Sequence, residues 1–255
     1  MGYLSGFLNN IHPMIRPLIC LGAVLGYYRF FKSWMFKQAP KISAQTRFSQ
    51  RMPHSNATGL IELLLAASSH ILFVCILLNC FDLSILGVGF QTTTFKNLVL
   101  GALLGLGLMS SSSLICRGVI EVLRLLVPHQ VPKDNRNWLI LARSGWMRHH
   151  LHALDAFPFR LGILITVVQI ACEETVFRGI FIEYLRPLGV SSALVLSTLL
   201  FAVIQTFHMP SKVSMLFPVV GALTMGVAHS LLYLRYSESV PLILSHFISF
   251  AAAVL

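Results

Sequence analysis

Residues Cys172-Glu173-Glu174-Thr175-Val176-Phe177-Arg178-Gly179 place two adjacent carboxylates and one guanidinium inside an apolar run. The segment from Leu161 to Ala171 precedes it and Ile180-Phe181-Ile182 follows, so length and pattern predict a helix at membrane depth. An ionisable group at the bilayer centre costs about 2.5–3.5 kcal/mol on insertion scales, so such groups face a bundle interior and commonly carry function. At about 100° per residue, Glu174 and Arg178 share one helix face at i, i+4 and can pair. Glu173 points about 100° away from Glu174, which leaves it free for a different task. A buried ion pair that only locks two helices together would need a single acid, and here there are two.

Further polar groups fall in the apolar segments of the C-terminal half: Gln205, His208, His229 and His246. A glutamate beside a histidine in a dry cavity can activate water. The carboxylate takes the proton, and the imidazole orients the water or stabilises an oxyanion. The same residue types can also hold a divalent metal that activates the water, and spacing alone leaves both routes open. For any single histidine the plain alternative is a hydrogen-bonded contact between helices. Other candidates are weaker. His149-His150-x-His152 has the composition of a metal site but sits in a basic interfacial stretch. Ser110 to Ser113 have no base near them in sequence and read as helix-packing serines. The glycines around Gly101 to Gly107 lie within a span, so they form no phosphate loop.

The elements that must position these groups are helices. The 255-residue chain is 56% hydrophobic and 11% charged, with mean hydropathy +0.76. A soluble domain carries about 25% charged residues, so the composition predicts an all-α, polytopic transmembrane bundle of about 6–8 spans. The net charge of +10 resides in loops between apolar runs, which suits anionic headgroups and argues against nucleic acid. The five cysteines show no CxxC spacing, which argues against a disulfide framework or thiolate zinc site.

The expected organisation is residues 1–57 as a membrane-associated helix and basic linker, and 58–255 as one helical domain. Ile15 to Phe31 reads as the first span, and Lys32 to Ser55, with five bases and no acid, as a cytoplasmic linker along the membrane. Further spans are expected at Leu60 to Phe81, Asn97 to about Ile115, Leu161 to Ile182, Ser191 to His208, Ser214 to Leu234 and Pro241 to Leu255. Gly101 and Gly105 form a Gly-x-x-x-Gly pair suited to close helix approach. Arg117 to Arg160 reads as a long basic loop, with Trp138 to Leu154 as a surface-lying amphipathic helix. The positive-inside rule puts this loop and the basic linker on the cytoplasmic side, and Asp82 to Lys96 opposite. The chain is expected to be a multi-pass integral membrane protein.

The order Glu173-Glu174-x-x-x-Arg178, then Phe201-x-x-x-Gln205, then His246 in the last span, resembles the CAAX protease and bacteriocin-processing family (CPBP, or ABI) of intramembrane proteases. The likeness covers roughly Leu60 to Leu255. It implies an intramembrane endopeptidase in which Glu173 activates water, assisted by Glu174 and Arg178. His246 would bind the oxyanion, and Gln205 or His208 would complete the site. It also implies a peptide or membrane-protein substrate, prenylated in the CAAX branch of the family, and either a metal-dependent or a metal-free glutamate mechanism. Two positions depart from the family pattern: Gln205 replaces histidine, and Phe250 stands where asparagine is frequent. They support a contrasting expectation, a family-like membrane protein that binds a peptide or partner without turnover.

Overall fold

A computed structural model describes residues 11–128, 150–151 and 159–254. Among them, seven long helices and no strand are found. We label these α1 (Pro13–Gln45), α2 (His54–Cys80), α3 (Phe95–Leu126), α4 (159–185), α5 (Val190–Ile204), α6 (Leu216–Tyr236) and α7 (Val240–Val254). The fold is an α-helical bundle, and α1, α2, α3 and α6 are long and apolar enough to cross a membrane. Leu103, Leu106, Leu114 and Leu125 on α3 lie exposed, a surface that suits lipid and not water.

The core is built around α4. Every residue from Thr175 to Phe181 is buried, and Val176, Phe177, Ile180, Phe181 and Ile182 have no exposed surface. This stretch is wound as a π-helical turn, an uncommon geometry that recurs at functional sites. The wider winding leaves main-chain groups to be satisfied from outside: Ser197 on α5 donates its hydroxyl to the Phe177 carbonyl. Gly179 meets the α2–α3 loop so closely that a Cβ there would lie 2.8 Å from Val88 Cβ.

Helices α3 and α7 approach through glycines. A Cβ on Gly101 would sit 2.4 Å from the Pro241 carbonyl oxygen, and one on Gly105 2.6 Å from that of Ser245. Ser249 also donates to the Gly105 carbonyl at 2.9 Å. The Gly-x-x-x-Gly pair therefore seats α7 directly on α3.

Three segments are longer or shorter than the sequence reading expects. Lys32 to Gln45, read as linker, continues the first helix, and Pro40 is accommodated within it. Composition misleads here because Lys32, Met35, Ala39 and Ser43 are buried at regular helical spacing while the remaining bases face outward. Helix α3 runs on to Leu126, so Arg117 and Arg124 belong to a helix and not to a loop; Arg124 pairs with Glu121 at 2.8 Å. Helix α5 stops at Ile204, where the next amides bond three residues back and His208 adopts a left-handed φ of 62°. Pro210 disfavours helix in the residue before it. The amphipathic helix expected over Trp138 to Leu154 falls almost wholly outside the described residues; His150 and Leu151 are helical.

Candidate active site

The two carboxylates of α4 face different surroundings. Glu174 is completely buried and acts as a hub. Its Oε1 accepts from His246 Nδ1 at 2.7 Å, and its Oε2 accepts from His229 Nδ1 at 3.1 Å. Arg178 Nε lies 3.4 Å from the same Oε2, one helical turn on, as the i, i+4 spacing predicts. The guanidinium stacks over the Phe201 ring with Cζ 4.2 Å from the centroid. A delocalised cation against an aromatic face is a favourable way to bury charge. Glu174 thus ties α4, α6 and α7 together at one point.

Glu173, one residue earlier, is half-buried and lines a cavity. Gln205, Phe207 and His208 come to this cavity from the end of α5, His246 and Phe250 from α7, and Tyr28, Lys32 and Phe36 from α1. Thr166, Gln169 and His150 complete the polar lining. Of the sequence candidates, Glu173, Gln205, His208 and His246 therefore share one cavity, while Glu174 and Arg178 lie behind it. His208 reaches the cavity from a turn and not from a helix face, and its Nε2 donates to the Tyr28 carbonyl at 3.2 Å.

The two histidines bonded to Glu174 differ. Carboxylate oxygens only accept, so each imidazole donates from Nδ1. His229 is also hydrogen-bonded through Nε2 to Ser245 Oγ at 2.9 Å, so both its ring nitrogens are engaged. His246 has Nδ1 fixed and lines the cavity, which leaves Nε2 as the atom available to a reacting group. Fixing one ring nitrogen sets the tautomer and orientation of the other.

Of His149-His150-x-His152, His149 and His152 lie outside the described residues. His150 alone is described; its Nδ1 bonds Thr166 Oγ1 at 3.1 Å, and its ring packs edge-on to Phe250. A resident metal was the other route to activated water. Among the described residues no three of His, Cys, Asp and Glu stand together as a ligand set. Glu174, His229 and His246 are close, but Glu174 accepts from both imidazoles and His229 Nε2 is taken by Ser245, so His246 Nε2 is the one ring nitrogen of the three left facing the cavity. Among the described residues this trio offers an ion no shared set of ligands.

Several lining residues escape sequence reasoning. Lys32, Tyr28 and Gln169 belong to no motif. Tyr28, 3% exposed, bonds His70 Nε2 through its hydroxyl at 2.7 Å and packs its ring 5.9 Å from Phe177. The available signal was a lysine four residues after a tyrosine at the end of an apolar run; nothing local says that it turns inward.

Residues 155–251 match the family described as type II CAAX prenyl endopeptidase Rce1-like. No curated protein and no solved structure matches the chain. The matched range spans α4 to α7, and so it holds both carboxylates, Arg178, Gln205, His229 and His246. With Glu173-Glu174-x-x-x-Arg178, Phe201-x-x-x-Gln205 and His246 in the family's order, these four helices are similar to the CPBP family of CAAX-type intramembrane proteases and consistent with membership in it.

Proposed function

We propose that this protein is a multi-pass intramembrane endopeptidase that hydrolyses a peptide bond with water activated by Glu173. One observation carries the reading. Glu173 opens onto the same cavity as Gln205 and His246, while its neighbour Glu174 is committed to His229, His246 and Arg178. A free carboxylate beside a fixed imidazole is a base next to an electrophilic partner. In this mechanism Glu173 takes a proton from water as the water oxygen bonds to the scissile carbonyl carbon. The carbonyl electron pair moves to oxygen, where the Gln205 side-chain amide can donate, and where His246, its Nδ1–H held by Glu174, donates from Nε2 as the imidazolium. Glu173 then passes the proton to the leaving amine as the C–N bond breaks. Glu174, Arg178 and His229 are positioning residues. The substrate is a peptide or membrane protein reached within the bilayer; the CAAX branch of the family implies one that carries a prenyl group.

The test is cleavage of a peptide library by purified protein, with prenylated and unmodified members. Wild type should cleave. Glu173→Gln keeps size and hydrogen bonding but removes the base, and should lower turnover by about 10²–10⁴-fold. The second reading, a binding module without turnover, is favoured by Gln205, which has no proton to exchange near neutral pH. It is adopted if neither wild type nor Gln205→His cleaves any member while a peptide still binds.

A further inference from the structure

Lys32 is the cation of this cavity that no motif accounts for. It is 9% exposed and lines the same cavity as Glu173, His150 and His208. Among the described residues its ammonium has neither a hydrogen bond nor a salt bridge; it lies over the rings of Tyr28 and Phe36, 5.6 and 5.8 Å from their centroids. A nine-tenths buried lysine with its donors unassigned is costly unless an anion or polar group meets it at some stage. The backbone around it is also unusual. Leu25–Phe31, immediately before Lys32, is a second π-helical turn, and Tyr28 within it packs on Phe177 in the π turn of α4. Two rare turns thus abut at the level of the cavity, one before Lys32 and the other after Glu173 and Glu174. Helix α1 lies outside residues 155–251, so this contribution is not carried by the family match.

Resting on the endopeptidase reading, we propose that Lys32 is a catalytic residue: its ammonium hydrogen-bonds the oxyanion that forms when water adds to the scissile carbonyl, supplying the positive charge that Gln205 lacks. No proton leaves Lys32. The carbonyl pair moves to oxygen, the oxyanion accepts an N–H bond from Lys32, and the pair returns to re-form the carbonyl when the amine departs with the proton held by Glu173. A cation aimed at developing charge in a water-poor site is worth more in the transition state than in the ground state. The loss therefore falls on kcat and leaves KM close to unchanged. An ammonium that merely anchored an anionic substrate group would raise KM instead.

The experiment compares wild type, Lys32→Met, Lys32→Arg and Lys32→Met/Gln205→His on one cleaved peptide. Methionine retains the apolar stem and is easier to bury than a charge, so thermal melting in detergent should hold. Lys32→Met should lose about 10²–10³-fold in kcat, the scale of one lost oxyanion donor. Lys32→Arg should retain more, and adding Gln205→His should restore part of the loss, because a histidine there can bring charge back to the same oxygen as the imidazolium. A phosphinate analogue of the tetrahedral intermediate should bind Lys32→Met more weakly by a comparable factor, a readout independent of turnover. Wild-type cleavage with unchanged kcat in Lys32→Met, a loss confined to KM, or no rescue by Gln205→His overturns the role of Lys32 and leaves the protease reading standing. If Lys32→Met does not fold, Lys32→Gln takes its place, and unchanged kcat together with unchanged phosphinate affinity in that variant overturns the role of Lys32. No cleavage by wild type overturns both readings.

Discussion

Adjacent glutamates with opposite surroundings predict opposite mutant phenotypes. Glu174 receives two imidazoles and a guanidinium with no exposed surface on any side of the carboxylate. Glu174→Gln keeps the shape but removes the charge that Arg178 faces, and an amide can no longer accept at both terminal atoms. Breaking one partner of a buried pair costs about 3–5 kcal/mol. We therefore expect Glu174→Gln to melt well below wild type in detergent, whereas Glu173→Gln melts within a degree or two of it, roughly, because a neutral amide is easier to house than a charge. Equal melting temperatures for the two variants would remove Glu174 from its structural role. The 100° offset between neighbours on a helix made this division readable from sequence, as did the i, i+4 pairing with Arg178. The engagement of His229 was not readable: its partner lies 55 residues away, and only the packing of α6 on α4 brings them together. Lys32 was hidden for the same reason, since its inward turn depends on which face of α1 meets α2 and α4.

At the scale of the element, glycine spacing forecast a contact that the structure makes. Gly101 and Gly105 are four apart and both lie against α7 main chain, whereas Gly107 has no atom within 4 Å of its would-be Cβ. That contact sets the height of α7, and so of His246 one residue beyond Ser245. Gly105→Leu should force the helices apart and cost about 1–3 kcal/mol of overpacking. It should also lower peptide cleavage, by moving His246 Nε2 relative to Glu173. Gly107→Leu is the matched control and should change neither melting nor cleavage. A Gly105→Leu variant that melts and cleaves like wild type would show that α7 is positioned by something other than α3. Helix ends were less legible than helix faces. Arg117, Arg124 and the bases after Lys32 look like loop by composition, yet long helices tolerate charge where they leave the apolar layer. The end of α5 did have a local marker, Pro210 two residues past His208.

For the whole molecule, the loops sort into two ends. Residues 81–94 and 237–239 are joined: Ser239 donates its amide to Gly89 O at 2.8 Å, Gln91 Nε2 donates to Ser237 O at 3.0 Å, and Asn97 Nδ2 donates to Glu238 at 2.7 Å. The seven described helices, in alternating direction, place the α1–α2 connection, the C-terminal end of α3, the start of α4 and the α5–α6 turn at the other end. Among the described residues that end carries Arg47, Arg51 and Lys212, and the sequence between α3 and α4 adds Lys133, Arg136, Arg143 and Arg148, while the joined loops carry Asp82 and Glu238. The positive-inside rule predicts that the basic end is cytoplasmic. The cavity belongs to that end, because it is lined by the last residues of α5, by His150, by Thr166 near the start of α4 and by Phe250 near the end of α7. Substrate would then enter from the cytoplasmic leaflet. In a variant freed of its five native cysteines, single cysteines at Thr92, Arg51 and Arg136 read this out directly. A membrane-impermeant maleimide added from the non-cytoplasmic face should label Thr92→Cys and spare Arg51→Cys and Arg136→Cys, and inverted vesicles should give the converse. The reverse pattern would put the cavity mouth on the other face, and with it any substrate presented by a cytoplasmic segment would be out of reach of Glu173.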